Sequence, residues 1–309
     1  MIEEAIQLGV LVVHRGVVIA PLYPRLRPHA EYVTLEEAIP LGFHVGEVDA
    51  AGSVPELVAR NPLDANVLLY DGEELLGAKQ NRILNVTVLI AAHAETRIPV
   101  SCVEEGHWSY RSAAFAPAPS HAYPELRRAK AQRLSAEPLA RGVAQAAVWD
   151  EVRAKAARLG VRSPTGAQRD IYTAREGALA ELRRAFPPAP GQAGALLALG
   201  DRLCLDYVSR PDAFARLYPK LLDGYLLDAL ERLDGEPAGE ERLAGFLAAA
   251  GAAPSKGEPS AGLGDDLRLA TGGLVGSGLA LDGELLQLSV FSADETGPKT
   301  RVARPSRRS

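Results

Sequence analysis

The sequence predicts an α+β fold: an antiparallel β-rich domain with an inserted or adjacent helical segment, whose late strands can complete the first sheet. Three observations predict it. Apolar, β-branched runs separated by turn residues fill much of residues 8–103, as strands require. Stretches rich in Ala, Leu and Arg, with apolar spacing of three and four, follow from Pro124, as helices require. Apolar runs broken by Gly-Asp and Asp-Gly then return at 193–208 and 266–291. Strands, then helices, then strand, helix and strands argue against alternating βαβ units.

The elements follow in order. Two β-branched runs flank His14-Arg15-Gly16 in residues 8–23, which predicts a hairpin. Thr34 can cap a short helix ending near Pro40, and F-H-V-G-E-V-D alternates as a strand. Asn66–Tyr70 reads as a strand, and Asp71-Gly72 after it as a two-residue hairpin turn. Residues 83–91 read as one strand, Ala94–Arg97 as a turn, Ile98–Val103 as the next strand, and 115–121 as a loop. Helices are expected from Pro124, through A-Q-A-A-V-W-D-E-V-R to a stop at Gly160, and over 171–186 before the break at Pro187-Pro188. A hairpin turning at Gly200-Asp201, an amphipathic helix over 211–231, a partly looped stretch over 234–262, and closing strands with a turn at Asp282-Gly283 complete the chain. This divides it into a β-rich domain (1–120) carrying the candidate site, a helical segment (121–190), an α+β segment packing on the first sheet (191–293) and a polar, basic tail (294–309) expected to be disordered.

Composition excludes several function classes. With 309 residues, 47% hydrophobic and 24% charged, the chain is an ordinary globular one. A net charge of −5 argues against a nucleic-acid binder. No run of 18 apolar residues marks a membrane span, and the acidic start Met1-Ile2-Glu3-Glu4 lacks a signal-peptide pattern. Cys102 and Cys204 alone make neither a disulfide framework nor a cysteine zinc site. The expectation is a cytoplasmic protein without membrane association, with a homo-oligomer possible. The sequence assigns no metal and leaves the cofactor unknown: the six histidines lack zinc-ligand spacing, and there is no phosphate-binding Gly-Lys loop or dinucleotide fingerprint.

The chemistry concentrates between Glu73 and Arg111. Lys79, Gln80, Asn81 and Arg82 stand in one block. Ser101, Cys102, Glu104, Glu105, His107, Trp108, Tyr110 and Arg111 form a second. The first block opens one strand and the second closes its antiparallel neighbour, so the two are expected to lie together. The phrases G-E-E-L-L-G-A-K-Q-N-R-I-L-N and I-P-V-S-C-V-E-E-G-H-W-S-Y-R-S resemble the ARPP-type domain family, named for association with ADP-ribosylglycohydrolase and rhodanese-phosphatase proteins. The similarity extends from about Leu8 to Phe291 and implies a place in NAD and ADP-ribose metabolism. The family commonly has Arg where this chain has His107, which weakens any role needing a cation there.

Lys79 and Arg82 can share a phosphate, Lys as a point charge and Arg as a fork. Gln80 and Asn81 can hydrogen-bond a base edge or ribose, Trp108 can stack on a base, and Arg111 adds a cation. These six are the expected ligand-binding residues. Glu104 and Glu105 are the expected catalytic pair, because two carboxylates with separated pKa values serve glycosidic hydrolysis; the bland alternative makes them ion-pair partners of nearby arginines. Cys102 reads as an inert buried thiol before a nucleophile. Ser163, Thr165, Gln168, Asp170 and Tyr172 form a second polar cluster that either lines the same cleft or caps helices. The expected function is a hydrolase-like enzyme acting on a phosphorylated nucleotide-sugar, of ADP-ribose or NAD origin. The competing readings are a non-catalytic ligand sensor and an assembly protein in which the 73–111 blocks are an ion-paired knot.

Overall fold

Turn chemistry sets the first element. In the computed structural model, which describes residues 2–48, 55–77, 80–105, 114–136 and 145–293, Arg15 and Gly16 both take positive φ (51° and 79°). They close a two-residue turn between Val12–His14 (β2) and Val17–Pro24 (β3), as the sequence predicts. A short helix, Ile2–Ala5 (α1), leads into Ile6–Leu8 (β1), which also pairs with β3. Thr34 at the end of Val33–Thr34 (β4) caps Leu35–Ala38 (α2) in a capping box with Glu37. A 3-10 turn over Ile39–Leu41 follows, then His44–Glu47 (β5) and Glu56–Arg60 (β6).

The middle of the chain departs from its sequence reading in four places, one being the turn expected at Ala94–Arg97, which falls at 92–93 instead, so that Glu95–Arg97 already belong to a strand. Asp71-Gly72 is a tight turn, with Gly72 at φ 86°, but not a hairpin. Val67–Leu69 (β7) before it and Glu73–Gly77 (β8) after it belong to different sheets. Residues 83–91 are two strands, Arg82–Leu84 (β9) and Val88–Ile90 (β10), again in different sheets. The break falls at Asn85–Thr87, whose side chains bond Ser101 and the Asp71 amide. After Glu95–Cys102 (β11), the expected loop at 115–121 is instead a strand, Phe115–His121 (β12), at the edge of its sheet. An edge strand tolerates Pro117 and Pro119 because their missing N–H groups need no outer partner.

Three helices follow, Pro124–Ala136 (α3), Gln145–Arg158 (α4) and Gln168–Arg183 (α5), with Gly160 at φ 62° beyond α4. Gly194–Leu199 (β13) and Arg202–Val208 (β14) form the predicted hairpin. Pro211–Ala229 (α6) carries Pro219 inside it. The stretch read as partly loop contains Glu240–Ala252 (α7) and Ser255–Pro259 (β15). Asp265–Ala270 (β16), Leu274–Leu281 (β17) and Glu284–Ser292 (β18) close the chain. The 294–309 tail lies outside the described residues.

The architecture is α+β. A nine-stranded antiparallel sheet has the order β1-β3-β13-β14-β18-β17-β16-β15, with β2 also on β3, so early and late strands share one sheet as expected. Beside it lie a six-stranded sheet, β12-β8-β9-β11-β6-β5, and a three-stranded one, β10-β7-β4. Helices α3, α5 and α6 fill the space between the large sheet and β12 with Tyr123, Leu126, Ile171, Leu182, Phe214 and Tyr225. Helix α7 covers the other face of the large sheet with Leu243, Phe246 and Leu247. No described helix is long and apolar enough to cross a membrane.

One ionic node ties these layers together. Arg127 of α3 grips Asp206 of β14 with two bonds (2.9 and 2.7 Å) and also bonds Ser289 of β18. Tyr70 and Tyr225 donate to the same carboxylate (2.8 Å each). Lys130 and Arg127 hold Asp71. All seven side chains are buried or nearly so. Although burial alone favours the neutral form, Arg127 and the hydroxyl donors hold Asp206 well below the usual carboxylate range.

Candidate functional site

Strand alternation separates the two neighbouring glutamates of β8. Glu73 turns back and accepts the Tyr70 amide (2.9 Å). Glu74 meets Ser120 of β12, which donates through its hydroxyl (2.6 Å), and Gln168 of α5, which donates through its amide (3.0 Å). Both bonds fall on Oε2. Oε1 is buried and has no hydrogen-bond partner among the described residues. Burial raises the pKa of Glu74, and the nearby Glu104 charge raises it further, against the opposing pull of Ser120, Gln168 and Arg169. Among the described residues, no cation forms a salt bridge with Glu74.

The two sequence blocks do come together. β9 pairs antiparallel with β11, Arg82 opposite Cys102, and the Val103 amide donates to the Asn81 carbonyl (3.1 Å). Gln80 is the connector. Its amide donates to the Glu104 carbonyl (2.9 Å). Its oxygen accepts from Arg82 and from the Cys102 thiol (2.9 Å each). The Asn81 amide donates to the Glu104 carboxylate (3.4 Å). Gln80, Asn81, Arg82 and Glu104 are all buried. Gln145, the first residue of α4, bonds both the amide and the carbonyl of Cys102, fixing the end of β11 to the helical layer. Burial raises the Cys102 thiol pKa, which disfavours the nucleophilic thiolate.

The other predicted residues are placed differently. Glu105 is exposed and ion-paired with Arg153 of α4, so it stands at the rim. Lys79, Trp108 and Arg111 lie outside the described residues, as does His107. Gln168 of the second polar cluster reaches the site through Glu74, and its own amide donates to the Val103 carbonyl (3.0 Å). Ser163 and Asp170 of that cluster bond each other instead, and the Tyr172 hydroxyl donates to the His121 carbonyl.

Sequence reasoning missed Glu74 and Ser120. Glu74 lay within the diagnostic block but was not singled out, and only the fold shows that among the described residues no cation forms a salt bridge with it. Ser120 sat in the supposed loop. Three further buried oxygens or nitrogens here have no hydrogen-bond partner among the described residues: Asn81 Oδ1, Asn85 Nδ2 and Gln168 Oε1. Unsatisfied buried polar groups are rare in folded proteins, and such a set marks a place for a polar ligand or water. No three described His, Cys, Asp or Glu side chains converge to hold a metal ion.

Residues 5–291 match the family described as the ARG and Rhodanese-Phosphatase-superfamily-associated Protein domain, ARPP-1. The chain belongs to this family. The match spans all three sheets, so Glu74, Asn81, Glu104 and Gln168 lie inside one family domain. No curated protein and no solved structure matches the chain.

Proposed function

We propose that this ARPP-1 domain is a hydrolase-like enzyme acting on a phosphorylated nucleotide-sugar of the ADP-ribose class, with its centre at Glu74 and Glu104. The observation that carries the reading is Glu74: a buried carboxylate with a raised pKa and a second buried carboxylate nearby, with no salt-bridged cation and no partner for its Oε1 among the described residues. Structural carboxylates in this fold look different, as Asp206 does with its arginine and two tyrosines. A carboxyl whose pKa is raised by burial holds its proton to higher pH and can protonate a leaving oxygen. The neighbouring carboxylate can stabilise the oxocarbenium-like charge or activate water. Glu74 takes the first role and Glu104 the second.

The remaining roles follow from chemistry and, for the described residues, from position. Asn81 Oδ1 accepts from a ribose hydroxyl. Gln80 orients Arg82 and the Glu104 backbone more than it touches ligand. Lys79, Arg82 and Arg111 neutralise the phosphates, Trp108 stacks on the base, and Glu105 with Arg153 frames the entrance. The name of the family supports the substrate class, through its ADP-ribosylglycohydrolase partner.

The test is thermal stabilisation of the purified chain by ADP-ribose, NAD and sugar phosphates, followed by chromatography for released products. Wild type is expected to be stabilised by one of these classes and to turn it over. Glu74→Gln is expected to bind without turnover, and Asn81→Ala to bind weakly. Stabilisation without products from wild type would make the protein a sensor. No stabilisation by any of them would retract the reading.

A further inference from the structure

Strand alternation on β14 turns Asp206 into the ionic node and its neighbour Tyr207 to the opposite face of the large sheet. Tyr207 is 3% exposed. A tyrosine buried this deeply ordinarily gives its hydroxyl a partner, and the other buried, described tyrosines do so. Tyr70 and Tyr225 donate to Asp206. Tyr32 shares a bond with Ser209. Tyr123, Tyr172 and Tyr218 donate to backbone carbonyls. The Tyr207 hydroxyl has no hydrogen-bond partner among the described residues.

The surroundings of that hydroxyl are those of a binding site. Tyr207 lines a groove of about 330 Å³ between the end of α1, the loop over residues 26–29 and the turn joining β17 to β18. Glu284 lines the same groove, and its charge, after burial, raises the Tyr207 pKa to about 12. The hydroxyl therefore keeps its proton and stands near the Glu284 carboxylate. Glu284 holds the loop by accepting the His29 amide (3.2 and 3.1 Å) and the Ala30 amide (3.2 Å). Only the shared His29 bond falls on Oε1. A carboxylate offers about four lone-pair positions, so Oε1 keeps capacity for a further donor. Leu26, Pro28 and Leu285 supply apolar wall. The charged lining is unbalanced, with Glu4, Asp282 and Glu284 against Arg27. The His29 imidazole adds a contact at 3.7 Å from Glu284.

We propose that this groove binds a small primary amine, its ammonium held between the Tyr207 hydroxyl oxygen and Glu284 Oε1 and its apolar body laid against Leu26, Pro28 and Leu285. An ammonium brings three donors and no acceptor, which matches two oxygens with spare lone pairs. A carboxylate or phosphate placed there would meet Glu284 at close range and is rejected. The groove lies on the face of the large sheet away from α3, α5 and α6, so amine binding stands or falls independently of the hydrolase reading.

The test is a ligand-observed NMR titration of the full chain with n-butylamine, with n-butyrate as the oppositely charged control, on wild type, Tyr207→Phe and Glu284→Gln. Tyr207→Phe removes a hydroxyl that bonds nothing in the fold, so its melting curve should match that of wild type. Wild type is expected to bind butylamine and not butyrate. Tyr207→Phe should bind it about tenfold more weakly or worse, and Glu284→Gln more weakly still. Absence of butylamine binding to wild type overturns the proposal. So does equal binding of butyrate, or a Tyr207→Phe variant that binds butylamine as wild type does. A Tyr207→Phe variant much less stable than wild type would show that the hydroxyl has a structural partner, and would overturn it too.

Discussion

Glutamine at position 74 is expected to make the protein more stable at neutral pH while stopping turnover. The argument starts from burial. Glu74 is 1% exposed, and its pKa is raised first by that burial and then by Glu104. Each unit of such a rise opposes the ionised form in the folded state by about 1.4 kcal/mol. Glutamine removes the charge and keeps an oxygen to accept from Ser120 and Gln168. The expected gain at pH 7 is about 1–2 kcal/mol, or about 2–4 °C in Tm for a chain of this size. The pH dependence gives the sharper check. A carboxyl whose folded pKa exceeds its unfolded value of 4.5 favours folding below pH 4.5, and that contribution is lost as pH rises through the folded pKa. The variant has no such loss. Its advantage over wild type should therefore be near zero at pH 4 and grow as pH rises toward and past 7, as read by urea unfolding across that range. A variant less stable than wild type at pH 7 would show that the ionised carboxylate is a structural partner, and would sink the assignment of Glu74 as the acid.

Three further outcomes follow from the buried polar groups. Asp206→Asn should destabilise by about 3–5 kcal/mol, because Arg127 would remain buried beside a neutral partner; a loss below about 1 kcal/mol by urea titration would contradict the node's structural role. Burial, reinforced by the Arg127 charge, lowers the His121 pKa from 6.5 to about 3, so the unfolded chain takes up a proton that the folded one refuses. Stability should fall as pH drops from 6.5 toward 3, at up to about 1.4 kcal/mol per pH unit from this residue, and His121→Phe should have a shallower pH slope over that window. Gly72→Ala should destabilise by about 2 kcal/mol or more, since the residue sits at φ 86° and a Cβ there would lie 2.7 Å from His121 and 2.9 Å from Arg127; an unchanged denaturation midpoint would refute this.

Local chemistry was legible in the sequence, and partner choice was not. Arg15-Gly16 dictated its turn, Thr34 and Glu37 their capping box, and Gly160 its helix stop, because each depends on residues within a few positions. Asp71-Gly72 was read correctly as a turn and wrongly as a hairpin. Which strand β7 pairs with is decided by β10 and β4, not by the turn. Residues 83–91 looked continuous because apolar and β-branched residues, Thr87 among them, outweigh the single Asn85; the split appears only once Thr87 has the Asp71 amide to bond. The site divides the same way. The Lys79–Arg82 and Ser101–Arg111 blocks were expected to lie together through one hairpin; their described parts do, although β10, in another sheet, comes between the two strands. Glu74 required knowledge of what α5 and β12 place opposite it, over sequence separations of 94 and 46 residues.

The contrast between the two buried carboxylates explains how the fold can hold such a site at all. Asp206 has a cation or hydroxyl donor from α3, α6 and β18, and Asp71 has two cations from α3; together they fasten α3 to β14 and to the turn before β8. That turn sets where β8 begins, and therefore which face receives Glu74. β12 reinforces the placement, since Ser120 bonds Glu74 while the next residue, His121, packs against Tyr70 and beside Gly72. The unsatisfied oxygens of Glu74, Asn81 and Gln168 would each lower stability in isolation. They persist because the surrounding node is fully paired and leaves them no alternative arrangement, which is the condition for a site organised before its ligand arrives.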